Sequence, residues 1–437
     1  MRILLFGDGL GIPQLINHIP KENICGIVAA TNRIQYHQDL RKLASALTVS
    51  FAVQPLYTYK SYKNFCSWVE QINPDLIWVN SYSMIVREDI LKVPRLGGIN
   101  IHGALLPQYR GCNPTQWAVL NGENITGVTL HEMTEGLDEG AVIDQNIVPI
   151  YFEDTWLMIQ SRISKATDQL ISRNLSSIIS GQWQSTPQAS EQAHYHRRRK
   201  PEDGLFYWNQ PIFKIYNLIR ALVSPHPGAF YLNKVQEKVI LDSYMTPFAI
   251  TALKYSDAGE INLDGKQICL RPLSLTDIKW LNQWDIDKHE LITCKISNYP
   301  IAEAENEAWF ESILFKRIDL LVFIIEDMIS GCEIGCCQLF NINWSFQSAE
   351  LHIEIKQGSN SYFKLICLEV FSLLCKFGFN ELNLNRIHIH ILSTSESIIN
   401  MCEKIGFVKE GILRQAACIN NEFVDVISMG LLKSEYE

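Results

Sequence analysis

Residues 97–138 read GGINIHGALLPQYRGCNPTQWAVLNGENITGVTLHEMTEGLD, and the rest of the chain is read outward from them. Asn100 and His102 lie two apart in a short apolar run with Ile99 and Ile101. Such an alternation belongs to a strand, which sends residues two apart to the same face. An amide and an imidazole therefore share one space. Gly103 and Pro107 turn the chain after them. A second apolar run, with Val128 and Leu130, leads into an acidic loop that ends at Asp138. A carboxylate there can orient the imidazole and raise its pKa. An imidazole near neutrality accepts protons, and an amide N–H stabilises a developing oxyanion. The trio suits acyl transfer to an amine that brings its own nucleophile, since no activated Ser or Cys accompanies it.

Upstream, residues 2–6 form an apolar strand followed by the glycine turn GDGLG at 7–11. A strand, a glycine turn and a helix open a doubly wound α/β fold, although the spacing is not G-x-G-x-x-G. Residues 24–29 and 74–79 read as further buried strands, and 60–72 as an amphipathic helix. Ligands of such sheets bind outside the carboxyl ends of the strands. The end of the 74–79 strand, running into residues 81–86, therefore becomes a binding-loop candidate. Downstream, a long helix is expected with Asp154 as its N-cap and Gly181 as its stop. Residues 256–265 are turn-rich and mark a boundary. Beyond them come a strand, a turn and a helix, strands at 320–325, 333–341 and 349–355, an apolar helix at 363–377 and a strand at 386–391.

With 437 residues, two or three domains are expected. A formal charge of −9 argues against broad nucleic-acid binding, which needs a positive face. The 12 cysteines include no C-x-x-C pair, which suggests reduced thiols in the cytoplasm and no metal site. No run approaches the roughly 18 apolar residues of a membrane helix, so no membrane insertion is expected.

The motifs NIHGALLPQYRG and TGVTLHEMTEGLDEG resemble the formyltransferases that use 10-formyltetrahydrofolate. The HG-x-LLP-x-YRG form and the NP-x-x-W at Asn113 and Trp117 are more similar to the branch acting on sugar nucleotides. The resemblance covers about residues 1–250. It implies a Rossmann-like domain with Asn100, His102 and Asp138 as catalytic groups. It also implies that the backbone of Met84, Ile85 and Val86 meets the pterin. The loop of Thr134, Glu135, Gly136 and Leu137 would close the other side. Ala104 stands where Ser is usual, and Cys112 where a basic residue is common. The segment RRRKPEDG, with YNLIRAL at 216–222 and PHPGAF at 225–230, resembles the region after the catalytic domain in sugar formyltransferases. It implies Arg197 and Arg220 as contacts of the nucleotide sugar, phosphates being held by cations.

From about residue 266 to 435, the LRPL opening and EKIGFVKEGILR at 403–414 resemble the GNAT acetyltransferase superfamily. That resemblance implies acetyl-CoA as a second cosubstrate, with Gly358, Asn400 and Cys402 at the coenzyme. Two features depart from it. The phosphate loop at 356–362 has a single glycine, and Cys402 stands where a tyrosine proton donor is frequent. Glu350 and His352 lie on the preceding strand, where a general base can sit, but each reads first as an ordinary strand residue.

The expected architecture is α/β: a Rossmann-like formyltransferase domain (1–193), a small C-terminal subdomain (194–257) and a GNAT-like α+β domain (266–437). The expected function is formyl transfer to the amine of a nucleotide-linked amino sugar, in the cytoplasm, with a homodimer as candidate assembly. The GNAT-like domain reads as either a second transferase or, because two motif positions are lost, a relic or binding module, and the latter is the expectation. Three rivals remain: a bifunctional enzyme that also N-acetylates, a methionyl-tRNA formyltransferase, and a non-catalytic sugar-binding or scaffolding protein.

Overall fold

A computed structural model describes residues 1–258, 263–282, 303–355, 360–419 and 421–436. Its internal contacts divide the chain into two compact units, Met1–Asp203 and Gly204–Glu437.

The first unit holds β1 (Ile3–Gly7), β2 (Ile24–Ala30), β3 (Ser50–Gln54), β4 (Leu76–Asn80), β5 (Gly98–His102), β6 (Arg110–Gly111), β7 (Ile125–Glu132), β8 (Val142–Pro149) and β9 (Tyr195–His196). Seven strands form one sheet in the order β3-β2-β1-β4-β5-β7-β8, and β6 pairs with β9 alone. The ladders from β3 to β5 are parallel, and those joining β5 to β7 and β7 to β8 are antiparallel. Every residue of β1 and β4 is buried, which explains their unbroken apolar runs. Leu4, Phe6, Ile77 and Val79 pack on Phe65 and Val69 of the helix Ser61–Ile72. Each fully buried side chain of this kind contributes about 1.5–3 kcal/mol.

Strand order reverses between β1 and β4, so their carboxyl ends open a crevice. The turn after β1 crosses close to β4: a Cβ on Gly11 would lie 2.2 Å from the Asn80 carbonyl oxygen. Asp8 then clamps the crevice rim. Its carboxylate accepts the N–H of Ala30 (3.3 Å) and of Ser83 (3.0 Å), and its own N–H donates to Ser81 O. The long helix runs Trp156–Ser180 and ends on left-handed Gly181, as expected. Its N-cap is Thr155 rather than Asp154. The Asp154 carboxylate instead accepts the Tyr151 N–H at 2.6 Å and pairs with Arg162, which pins the loop before the helix.

The second unit holds the helix Ile212–Ala221 and then the hairpin β10 (Ala229–Leu232) and β11 (Lys238–Leu241). It continues through β12 (Ile268–Pro272), β13 (Leu321–Asp327), β14 (Glu333–Asn343), β15 (Ser348–Ile355), β16 (Arg386–Leu392), β17 (Val408–Ile419) and β18 (Glu422–Leu432). These last seven form a sheet in the order β12-β13-β14-β15-β16-β18-β17, antiparallel except between β15 and β16. Residues 204–258 belong to this unit through specific bonds. Thr246 Oγ1 donates to Leu314 O (2.6 Å). Lys254 Nζ and the Ile212 N–H both reach Glu381, each at 3.0 Å.

Candidate active site

Antiparallel register sets the core of the first site. Across the β5–β7 ladder, Asn100 faces His131 and His102 faces Thr129. Both β5 side chains point to one side, as the alternation requires, and a loop from the end of β7 brings Asp138 to them. His102 Nδ1 lies 3.5 Å from Asp138 Oδ2, and His131 Nε2 lies 3.7 Å from Asp138 Oδ1. The structure thus gathers Asn100, His102 and Asp138, and adds His131, which sequence reasoning missed. The signal for His131 was its place in LHEM, but only the β5–β7 register shows what it opposes.

The hydrogen bonds assign the ring nitrogens. His102 Nε2 lies 2.8 Å from the Tyr109 carbonyl oxygen, so Nε2 carries the proton and donates. Nδ1 is then the basic nitrogen, and it faces Asp138. His131 Nδ1 lies 2.7 Å from the Glu132 carbonyl oxygen and must also donate. Its Nε2 accepts from Asn100 Nδ2 at 3.1 Å. Burial pushes the His131 pKa down to about 4, against the pull of Asp138. His131 is therefore neutral at pH 7, and its lone pair fixes the Asn100 amide.

Loop backbone carries the rest of the geometry. Tyr109, Asn113 and Asp138 all have φ of 56°, a left-handed conformation that non-glycine residues seldom hold. The contacts around them hold it. The Gly111 N–H donates to Asp138 Oδ2 (2.9 Å). Gln188 Nε2 donates to the carbonyls of Asp138 and Gly140, and Gln188 Oε1 accepts from buried Arg110. Arg110 also donates to the Tyr195 hydroxyl (2.7 Å).

The other expected binding residues are distributed around this centre. Ile85, on the loop after β4, is 70% exposed, while Val86 is buried and Met84 is half-buried. The Ile85 carbonyl accepts from Gln54. Thr134, Glu135 and Leu137 are exposed, and Gly136 is half-buried, on the loop before Asp138. Trp117 Nε1 donates to Arg197 O (3.1 Å), and Asn113 Oδ1 accepts the Arg199 N–H. The His196 ring stacks on Tyr109 at 4.8 Å. Arg197 gives both terminal nitrogens to Asp203 (2.7 and 2.6 Å), so an incoming phosphate would compete with that carboxylate. Among the described residues, no group of three or more His, Cys, Asp or Glu is placed to hold a metal ion, and no helix is long and apolar enough to cross a membrane.

Residues 1–175 match the formyl transferase family, 198–269 the formyl transferase C-terminal domain, and 267–408 the acetyltransferase (GNAT) domain. The chain fuses a formyl transferase domain to a GNAT-like domain. The bifunctional polymyxin resistance protein ArnA of Wigglesworthia glossinidia brevipalpis is 39% identical over 205 residues, 45% of this chain. This chain spans about a third (31%) of the length of that relative. A sugar N-formyltransferase structure from a Shewanella species aligns over 56% of this chain and 97% of its own, at TM-score 0.46 and 21% identity. A spermidine N-acetyltransferase from Vibrio cholerae, solved with CoA and spermine, aligns over 39% of this chain and 99% of its own, at TM-score 0.34 and 26% identity.

In the formyl transferase C-terminal domain, Arg220 is buried, its Nε donates to Asn217 Oδ1 (2.9 Å), and its guanidinium lies over the Tyr216 ring. In the GNAT-like domain, Gly358 lies outside the described residues. Asn400 is exposed on the helix Glu396–Ile405, whereas Cys402 is fully buried and burial pushes its thiol up to about 12. Strands β15 and β16 pair only from Ser348–Arg386 to Glu350–His388. Beyond that point β15 continues against β14 and β16 against β18, so each has one unpaired edge inside the sheet.

Proposed function

We propose that the formyl transferase domain moves a formyl group from 10-formyltetrahydrofolate to the amine of a nucleotide-linked (UDP- or dTDP-) amino sugar. The convergence of Asn100, His102, His131 and Asp138 carries this reading. The folate donor supplies the electrophilic formyl carbon. His102 Nδ1 takes the proton from the attacking amine, and Asp138 balances the imidazolium that results. Asn100, its amide fixed by His131, donates to the oxyanion that forms on the formyl oxygen. A preorganised donor of this kind is worth about 3 kcal/mol in the transition state. The exposed Ile85 and the loop at 134–137 fit a flat pterin at the crevice that β1 and β4 open.

The net charge of −9 disfavours a tRNA acceptor, which needs a basic surface. Soluble, charged substrates favour a reaction in the cytoplasm. We assign catalysis to residues 1–193, acceptor contacts to Asn113, Trp117 and the 194–257 segment, and a second acyl transfer from acetyl-CoA to residues 266–437. The gap between β15 and β16 favours this last assignment. Its unpaired amides and carbonyls suit the extended amide chain of a coenzyme A thioester.

The test is mass spectrometry of a panel of UDP- and dTDP-linked amino sugars incubated with the protein and 10-formyltetrahydrofolate. One member is expected to gain a single formyl group. No gain on any member, or efficient formylation of charged initiator tRNA, overturns the reading.

A further inference from the structure

The GNAT-like domain lost its expected proton donor at Cys402, yet the polar face of its sheet carries an unassigned acid–base group. Parallel register sets Glu350 of β15 beside His388 of β16, and His390 comes next on the same face. Glu350 Oε1 lies 2.8 Å from His390 Nδ1, so Nδ1 carries the proton and donates. Glu350 Oε2 accepts from Asn341 Nδ2 (3.2 Å) and lies 3.9 Å from His388 Nε2. The carboxylate is thereby fixed from two strands. Among the described residues His390 Nε2 has no hydrogen-bond partner, and the side chain keeps 27% of its surface exposed. This group sits where β15 and β16 part, at the apex of the gap between them.

The geometry points to His390, oriented by Glu350, as the proton acceptor of a second amine acyltransferase site. The inference rests on reading residues 266–437 as an acyl transfer domain and is independent of formyl transfer. The acyl donor is a thioester such as acetyl-CoA, and the acceptor a primary amine. The amine nitrogen attacks the thioester carbonyl, the new C–N bond forms and the C–S bond breaks. The amine's proton passes to His390 Nε2. The imidazolium then returns that proton to the departing thiolate, so amide and free thiol leave and the imidazole is regenerated. The same dyad thus does the work of both the base and the missing acid.

Physical chemistry favours the pair over its neighbours. Cys402 is inaccessible and its thiol holds its proton. His352 is fully buried against Glu354 at 2.6 Å, which leaves it no path to an acceptor. His388 has its pKa lowered by burial. His390 is raised by its hydrogen bond to Glu350, against burial. Among the described residues, Glu350 is the charge that acts on His390, and Arg386 and Glu410 act on the neighbouring His388.

The full chain is tested with acetyl-CoA and two kinds of amine, the nucleotide-linked amino sugars and 1,4-diaminobutane, with thiol release and product mass as readouts. Formyl transfer is measured on the same preparations. We expect acetylation of one amine class, and which class responds identifies the acceptor. His390→Gln should lower kcat by about a hundredfold or more, with the KM for acetyl-CoA within about twofold and formyl transfer unchanged. Glu350→Gln should move the rising limb of the rate to lower pH, because the imidazole loses the carboxylate that raised it. No thiol release with either amine overturns the proposal even if formyl transfer is intact. So does an acetylation rate that survives His390→Gln, or a pH limb that Glu350→Gln leaves in place.

Discussion

Both halves of the chain set an imidazole against a carboxylate, and they build the pair in opposite ways. In the formyl transferase domain, His102 and Asp138 are 3.5 Å apart with side chains 7% and 10% exposed. The carboxylate comes from a loop residue at positive φ, held by Gly111 and, through its carbonyl, by Gln188. In the GNAT-like domain, His390 and Glu350 are 2.8 Å apart and 27% and 16% exposed. Both sit on regular strands, and register alone brings them together. A strand-borne pair needs little support but is confined to the spacing of the sheet. A loop-borne pair can place three groups around one reacting atom, at the cost of a supporting shell.

The largest expected effect tests whether the two pairs are independent. His102→Asn should reduce formyl transfer by about a thousandfold while leaving acetyl-CoA cleavage unchanged. An equal fall in both rates, measured on one preparation, would mean that the halves share a centre. Asn100→Ala comes next, with a loss in kcat of about a hundredfold or more and little change in KM. A rise in KM alone would make the amide a ground-state contact.

His131→Gln sharpens the contrast in supporting shells. The formyl transferase rate should fall roughly ten- to a hundredfold, because the Asn100 amide loses its fixed orientation. The substitution has a second signature in stability. His131 has a folded pKa of about 4, below its ordinary value near 6.5. Between those values the unfolded chain binds the extra proton, so stability is present above pH 6.5 and falls as the pH drops towards 4. Thermal melts across that range should show a flatter acid-side slope in the variant. An unchanged slope would show that His131 does not titrate on unfolding.

The last test reads stability rather than rate and concerns the frame of the second unit. Glu381 holds both Lys254, which is 6% exposed, and the Ile212 N–H. Glu381→Ala should cost roughly 3 kcal/mol of stability in denaturant unfolding, because a buried ammonium loses its partner. A loss below the noise of the measurement would mean that solvent replaces the carboxylate there.

Much of the first site is legible in the sequence. Asn100 and His102 share a face because strand alternation is local, and Gly181 ends its helix because only a residue at ease in the left-handed region fits there. Asp154 is not the cap that its position suggests, because Tyr151 and Arg162 compete for its carboxylate, and a sequence does not show that competition. Arg197 is implied by its motif as a contact of the nucleotide sugar, but the sequence does not show that Asp203 already takes up its guanidinium.

What the sequence determined by itself was part of the element set, namely β1, β2, β4, β5, β13 to β16 and the helix ending at Gly181, together with the faces their side chains take and the motifs that mark a formyl transferase domain followed by a GNAT-like one. Those properties depend on dihedral preference, periodicity and residue chemistry within a few positions of each other. The tertiary structure alone decided that His131 faces Asn100 and that Glu350 meets His390 across 40 residues of chain, and it set the 3.5 Å at which the expected Asp138 reaches His102. Each of those contacts depends on strand register and loop closure. Register is set by the burial of whole faces at once, so no short stretch of sequence contains it.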